Sequence, residues 1–143
     1  MFTKTIQEIR AFNRFYTDLI GLLNRHLLNS AYSLSEVRIM YEIHTAGEMQ
    51  ASQIMSAMDI DKSYLSRILK KLEKDGVIAK QASAQDGRAT VLSLTTKGER
   101  LFKELTKATE EQISGLIVNL NAKKQQELVL HMQSIRDILK DGQ

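Results

Sequence analysis

The chain of 143 residues has no cysteine, no proline and no tryptophan. Without cysteine there can be no disulfide, thiolate zinc site, cysteine nucleophile or thiol-based redox sensor. The absence of proline agrees with long, uninterrupted helices. No window approaches the roughly 18 consecutive apolar residues of a membrane span, so no membrane association is expected. The opening MFTKTIQEIRAF places charges and Gln where a signal peptide needs an apolar run, and a cytoplasmic protein is expected. There is no low-complexity stretch, no clear repeat and no linker-like run. What remains is 43% hydrophobic and 26% charged, enough apolar content to exclude wholesale disorder and a length that suits one domain.

The net charge is only +3, and it is unevenly placed: residues 61–100 hold nine Lys/Arg against five Asp/Glu, while residues 31–60 hold one against four. A local basic excess on a nearly neutral chain suggests a directed polyanion contact, with a merely solvated face as the alternative.

Helical periodicity dominates both ends. Phe2, Ile6, Ile9, Phe12, Phe15, Tyr16, Leu19, Leu22, Leu23 and Leu27 recur at steps of three and four, predicting one long helix almost from the first residue to Leu28. So much apolar surface needs a large packing partner. Ser33 and Glu36 form a capping box for a second helix, with Gly47 as its stop. A short segment carrying Ile54, Met55 and Met58 follows. Asp61 then caps DKSYLSRILKKLEKDG, which halts at Gly76. Beyond it, VIAKQ and the alternating stretch Ala89–Thr95 are strands joined by a polar loop with an Asp86-Gly87 turn, hence a hairpin. Thr96 and Glu99 suggest a second capping box, and Asn121 caps a last helix carrying Leu128, Met132, Ile135 and Leu139. The expected fold is mainly α with a small β-hairpin.

The helix opened by Asp61 divides into two faces. Leu65, Ile68, Leu69 and Leu72 share one side and face a core. Lys62, Ser63, Ser66, Arg67, Lys70 and Lys74 fall largely on the rest. Serine is a poor helix former, yet short hydroxyls among long cations suit a helix approaching a sugar-phosphate backbone closely. The like-charged pair Arg67 and Lys71, four residues apart, has no local compensation. Such a helix fits the major groove of duplex DNA, where Arg and Lys reach guanine edges. Arg88 follows the hairpin turn, and Asp86 is placed to orient it by a carboxylate–guanidinium pair. An arginine there can enter the minor groove, with Lys80 a neighbour to a phosphate. A plain turn-stabilising pair is the alternative for Asp86 and Arg88.

The run DKSYLSRILKKLEKDGVIAKQASAQDGRATVLSLTTKGE resembles the MarR family of bacterial winged helix-turn-helix regulators. Ser63, Ser66 and Arg67 match its recognition-helix pattern, Leu72, Glu73 and Gly76 its helix end, and Asp86, Arg88, Leu94, Thr95 and Gly98 its wing and next helix start. The resemblance implies a homodimeric repressor on pseudo-palindromic duplex DNA. Residues 1–30 and 100–143 would form a helical dimerisation region, and residues 31–99 the winged helix-turn-helix DNA-binding lobe. Its implied DNA contacts are Lys62, Ser63, Tyr64, Ser66, Arg67 and Lys70 or Lys71, with Arg88 from the wing and weaker phosphate contacts from Ser35 and Arg38. The opening helix also resembles the regulator half of longer family members carrying an acetyltransferase domain. These 143 residues leave no room for one, so no enzymatic activity is expected.

His26, His44 and His131 are scattered without metal-ligand spacing, and neither a cofactor nor a metal is expected. No phosphate-cradling glycine loop or nucleophilic triad stands out. The family resemblance also implies a small aromatic or anionic effector, for which Asn13, Tyr16, Tyr41 and His44 have suitable types, although helix packing explains them equally well. The competing reading of the whole chain is a winged-helix protein-interaction module that does not bind DNA.

Overall fold

The computed structural model describes residues 2–27, 31–85 and 87–142, with side chains described outside 22–27. In chain order the elements are α1 (Phe2–Leu27), α2 (Leu34–Ala46), α3 (Ala51–Met58), α4 (Lys62–Lys74), β1 (Ile78–Ala82), β2 (Thr90–Leu94), α5 (Thr96–Ile117) and α6 (Ala122–Asp141). Two compact units result, residues 1–108 and residues 109–143, with α5 running continuously from the first into the second.

The local signals explain the helix starts. Ser33 Oγ accepts from Glu36 N (3.2 Å) while Ser33 N donates to Glu36 Oε1 (2.8 Å), the reciprocal pair expected at the start of α2. Asp61 Oδ2 accepts from Ser63 N and Tyr64 N at 3.0 and 3.2 Å, satisfying two orphan donors of α4. Asn121 Oδ1 does the same for Lys124 N (2.8 Å) at α6. The expected capping box at Thr96 is corrected by one residue. Thr95 Oγ1 accepts from Gly98 N at 3.0 Å, and Thr96 already lies inside α5. Thr95 prevails because its hydroxyl also donates to the carbonyls that end the α4–β1 connection, Gly76 O and Val77 O.

The core of the first unit gathers one stripe from each of α2, α3 and α4, the base of the hairpin, and the start of α5. Ile39, Met40, Ile43, Ile54, Leu65, Ile68, Leu69, Leu72, Val77, Ile78, Leu92, Phe102 and Leu105 form it. The four α4 positions expected to face inward are all buried. Each fully buried aliphatic contributes about 1.5–3 kcal/mol through removal of its surface from water. β1 and β2 pair antiparallel with Ile78 opposite Leu94 and Ala82 opposite Thr90. Met49, just before α3, extends the hairpin by an antiparallel bridge. Its N donates to Leu92 O (3.0 Å), and Leu92 N donates to Met49 O (2.7 Å). This bridge roots the wing in the helical lobe.

The terminal helices contrast with that core. Every side chain of α1 from Phe2 to Asp18 is exposed, and in α6 only Gln125 is even partly covered. Leu128, Met132, Ile135 and Leu139, one stripe of α6, are all open to solvent in the single chain.

Candidate nucleic-acid interface

Lys62, Ser63, Tyr64, Ser66, Arg67 and Lys70 are all exposed on α4, opposite its buried leucines. The periodicity of the apolar stripe dictates this: once Leu65, Ile68, Leu69 and Leu72 turn inward, the polar residues between them can only face out. Arg67 Cζ lies 5.7 Å from the centre of the Tyr64 ring, one turn earlier. Arg88 is exposed beside the wing turn. Asp86, the carboxylate expected to orient it, lies outside the described residues.

Between α3, α4 and the wing runs a cleft of about 570 Å³. Met55, Leu65, Leu69 and Leu92 form its apolar floor, and Lys62, Ser66 and Lys80 are among its polar lining. Ser52 and Thr90 also line it. Neither announces itself in the sequence, because an isolated hydroxyl carries no signal until the fold sets it beside others.

Several of the expected contacts are engaged within the chain. Lys71 is the clearest case. Exposed along its side chain, it nonetheless pairs through Nζ with Glu36 Oε2 at 2.7 Å, donates to Ala31 O at 3.2 Å and sits 5.0 Å from the centre of the Tyr32 ring. The compensation missing along α4 comes from α2, which no i,i+4 rule can reveal. Lys80 pairs with Glu73 (3.2 Å), and Arg38 with Glu42 (2.8 Å). Both are solvent-exposed pairs worth about 0–1 kcal/mol, so either cation can be given up to a phosphate at little cost. Ser35 is half-buried in the first turn of α2.

The Lys71 cluster holds α4 in place. Tyr32 Oη donates to Asp75 Oδ2 (3.0 Å), and Lys97 Nζ donates to Asp75 O (2.7 Å). The start of α2, the end of α4 and the start of α5 are thereby tied at one point. Burial, with the Asp75 hydrogen bond and the negative charges of Asp75 and Glu36, pushes the Tyr32 hydroxyl up to about 12, so it stays a donor at all ordinary pH. For Glu36, burial alone would raise the pKa. The hydrogen bonds from Lys71 and Ser33, with the Lys71 charge, outweigh it and hold the carboxyl below its ordinary range.

A carboxylate with a lowered folded-state pKa adds stability above its unfolded value, about 4.3, that is lost as the pH falls through the folded value. Glu36→Gln is therefore expected to destabilise the protein by about 1 kcal/mol at pH 7, since it weakens a pair whose carboxylate is buried while the Lys71 side chain stays open to solvent. The gap from wild type should close as the pH approaches 3. Thermal melts of both proteins from pH 7 to 3 check this, and a gap independent of pH would refute it.

The residues considered for an effector fall into two groups. Tyr41 and His44 on α2 both border Phe102 of α5, at ring-centre distances of 6.5 and 4.7 Å, and His44 Nδ1 is 2.7 Å from Glu99 Oε2. Tyr16 stacks on Phe12 within α1 at 5.7 Å. Among the described residues no hydrogen bond or ring contact joins Asn13 or Tyr16 to Tyr41 or His44. No group of His, Asp and Glu able to hold a metal ion occurs among the described residues, and no helix is long and apolar enough to cross a membrane.

Residues 32–90 match the model of the MarR family. An HTH-type transcriptional regulator of Bacillus subtilis strain 168, YdgJ, is 25% identical over 97 residues, which make up 68% of this chain and 59% of that protein. The chain thus spans under two thirds of the length of this relative. Among solved structures, a cysteine-to-serine mutant of MarR from E. coli complexed with operator DNA superposes with a TM-score of 0.77 at 19% identity, covering 94% of this chain and 97% of that one. A glycine-to-lysine mutant of MepR from S. aureus gives 0.77 at 18% identity, covering 91% and 96%. At such identities the likeness establishes the fold, a winged helix-turn-helix with long flanking helices. With α3 and α4 as the helix-turn-helix and β1 and β2 as the wing, the stretch that is similar to the MarR family runs from just before α2 to the first residue of β2.

Proposed function

We propose that the protein is a transcriptional regulator, most simply a repressor, that binds a pseudo-palindromic duplex as a homodimer. The outward cationic face of α4, rooted in the same lobe as a wing tip carrying Arg88, carries this reading. α4 enters the major groove with Lys62, Ser63, Ser66, Arg67 and Lys70, and Arg88 reaches the adjoining minor groove. Lys80, Arg38 and Ser35 contribute phosphate contacts. Residues 1–30 and 100–143 form the dimerisation region, which would cover the solvent-exposed stripes of α1 and α6 and set two α4 helices about 34 Å apart, one turn of the duplex.

Tyr41, His44 and Phe102 offer an aromatic and hydrogen-bonding edge to a small aromatic or anionic effector, with Asn13 and Tyr16 contributing from α1. By linkage, an effector that favours the wrong helix spacing lowers operator affinity. No catalytic step is assigned to any residue, and the site of action is the cytoplasm.

The test is selection of bound duplexes from a random pool, followed by titration of the winner and of random duplex at rising salt. A steep, linear fall of log affinity with log salt is expected, together with a sequence preference. Arg67→Ala should cost about 1–3 kcal/mol on the selected duplex and little on random duplex. Equal loss on both would make Arg67 a phosphate contact. No duplex binding even at low salt would refute the proposal in favour of a protein-interaction module.

A further inference from the structure

We infer that Tyr64 is a positioning residue for Arg67, holding the guanidinium over its ring so that the arginine meets a base edge already ordered; this rests on the DNA-binding reading above. Arg38, Lys71 and Lys80 each have a carboxylate partner: Glu42, Glu36 and Glu73. Among the described residues Arg67 has no ion pair. Its contact is the Tyr64 ring, 5.7 Å from Cζ.

That difference has a chemical consequence. A carboxylate orients an arginine by occupying its N–H donors, which are the groups a base would read. An aromatic face orients the same group through charge and dispersion and leaves every N–H free. Arginine also has many rotamers, and ordering it on binding subtracts from affinity unless it is ordered beforehand. The backbone that carries the ring is fixed. Tyr64 N is tied to Asp61 Oδ2 at 3.2 Å, and the following residue, Leu65, is buried in the core. Tyr64, 40% exposed, therefore stands at a fixed point on the first turn of α4, with Arg67 one turn above on the same side.

Two measurements test this. The first needs no DNA. The side-chain Hδ and Nε–Hε resonances of Arg67 in the free protein should be displaced by the Tyr64 ring current, and the displacement should vanish in Tyr64→Leu and persist in Tyr64→Phe. Absence of displacement in the wild type overturns the inference.

The second is a double-mutant cycle on the selected duplex. Tyr64→Phe should bind within about 2-fold of wild type, and Tyr64→Leu should lose about 3- to 5-fold. Random-duplex affinity and the salt slope should not change. In an Arg67→Ala background the Tyr64→Leu loss should disappear. An additive loss would make Tyr64 an independent DNA contact, and a Phe variant as weak as the Leu variant would assign the effect to the hydroxyl; either overturns the inference. A wild type that binds duplex but shows additivity sinks this inference alone. A wild type that binds no duplex sinks the DNA-binding reading and the inference with it. Thermal melts of the variants within about 2 °C of wild type exclude a purely structural cause.

Discussion

Gly98→Ala is expected to unfold the winged lobe at temperatures where the wild type is intact. A Cβ at Gly98 would stand 2.0 Å from Val77 O and 3.0 Å from Val77 C. Backbone atoms cannot swing aside as a flexible side chain can, and this carbonyl is pinned from several directions. Val77 O accepts from Thr95 N (3.0 Å) and from Thr95 Oγ1 (3.2 Å), while Val77 N donates to Leu72 O (2.8 Å). Val77 itself is fully buried. Relief therefore requires α5 to lift away from the α4–β1 joint, which would break the Thr95 cap and open the core at Phe102. A cost of about 3 kcal/mol or more is a large part of the 5–15 kcal/mol that usually holds a domain together. Thermal melting should show a fall of about 10 °C or more. Gly115→Ala provides the control: nothing lies within 4 Å of its Cβ position in α5, so the same substitution there should be neutral or stabilising by up to about 1 kcal/mol. A Gly98→Ala protein that melts within about 2 °C of wild type would show that the joint is looser than its hydrogen bonds imply.

Placing two charges on α6, Ile135→Glu with Leu139→Glu, is expected to abolish the homodimer and with it most operator affinity. The two positions lie four residues apart on one face and are exposed in the single chain, so the substitutions create no buried charge within one subunit. Across a dimer interface they would bury up to four carboxylates without partners, at several kcal/mol. Sedimentation should give a monomer at micromolar concentration. Affinity for the full operator should fall by about 10²–10⁴, the advantage of two linked half-site contacts over one. Affinity for an isolated half-site should change little. Retention of the dimer would move the interface elsewhere, and loss of the dimer without loss of operator affinity would refute the paired-probe geometry.

Much of this molecule is legible along the chain because its signals are local. Capping residues Ser33, Asp61 and Asn121 act within three residues of themselves, and the α4 leucines declare their face by spacing alone. The wing hairpin was readable from alternation, although its strands run one residue later at β1 and one residue shorter at each end of β2 than the pattern suggested. As caps of α5, Thr95 and Thr96 are locally equivalent. Only the carbonyls of Gly76 and Val77, nearly 20 residues away, distinguish them. The partner of Lys71 is hidden from the sequence for the same reason: its counter-charge, Glu36, is 35 positions earlier and lies on another helix.

From its sequence alone, this protein's helices, their inward faces, the hairpin and the cationic character of α4 were determined, because each depends on neighbours within a turn or two. Tertiary structure decided which carboxylates pair with Arg38, Lys71 and Lys80. It also decided which glycine cannot change, where the wing is rooted through Met49 and Leu92, and that an aromatic ring is the only partner found for Arg67 among the described residues. Charge pairing and steric exclusion act through space over a few ångströms, and only folding brings residues from distant parts of the chain that close.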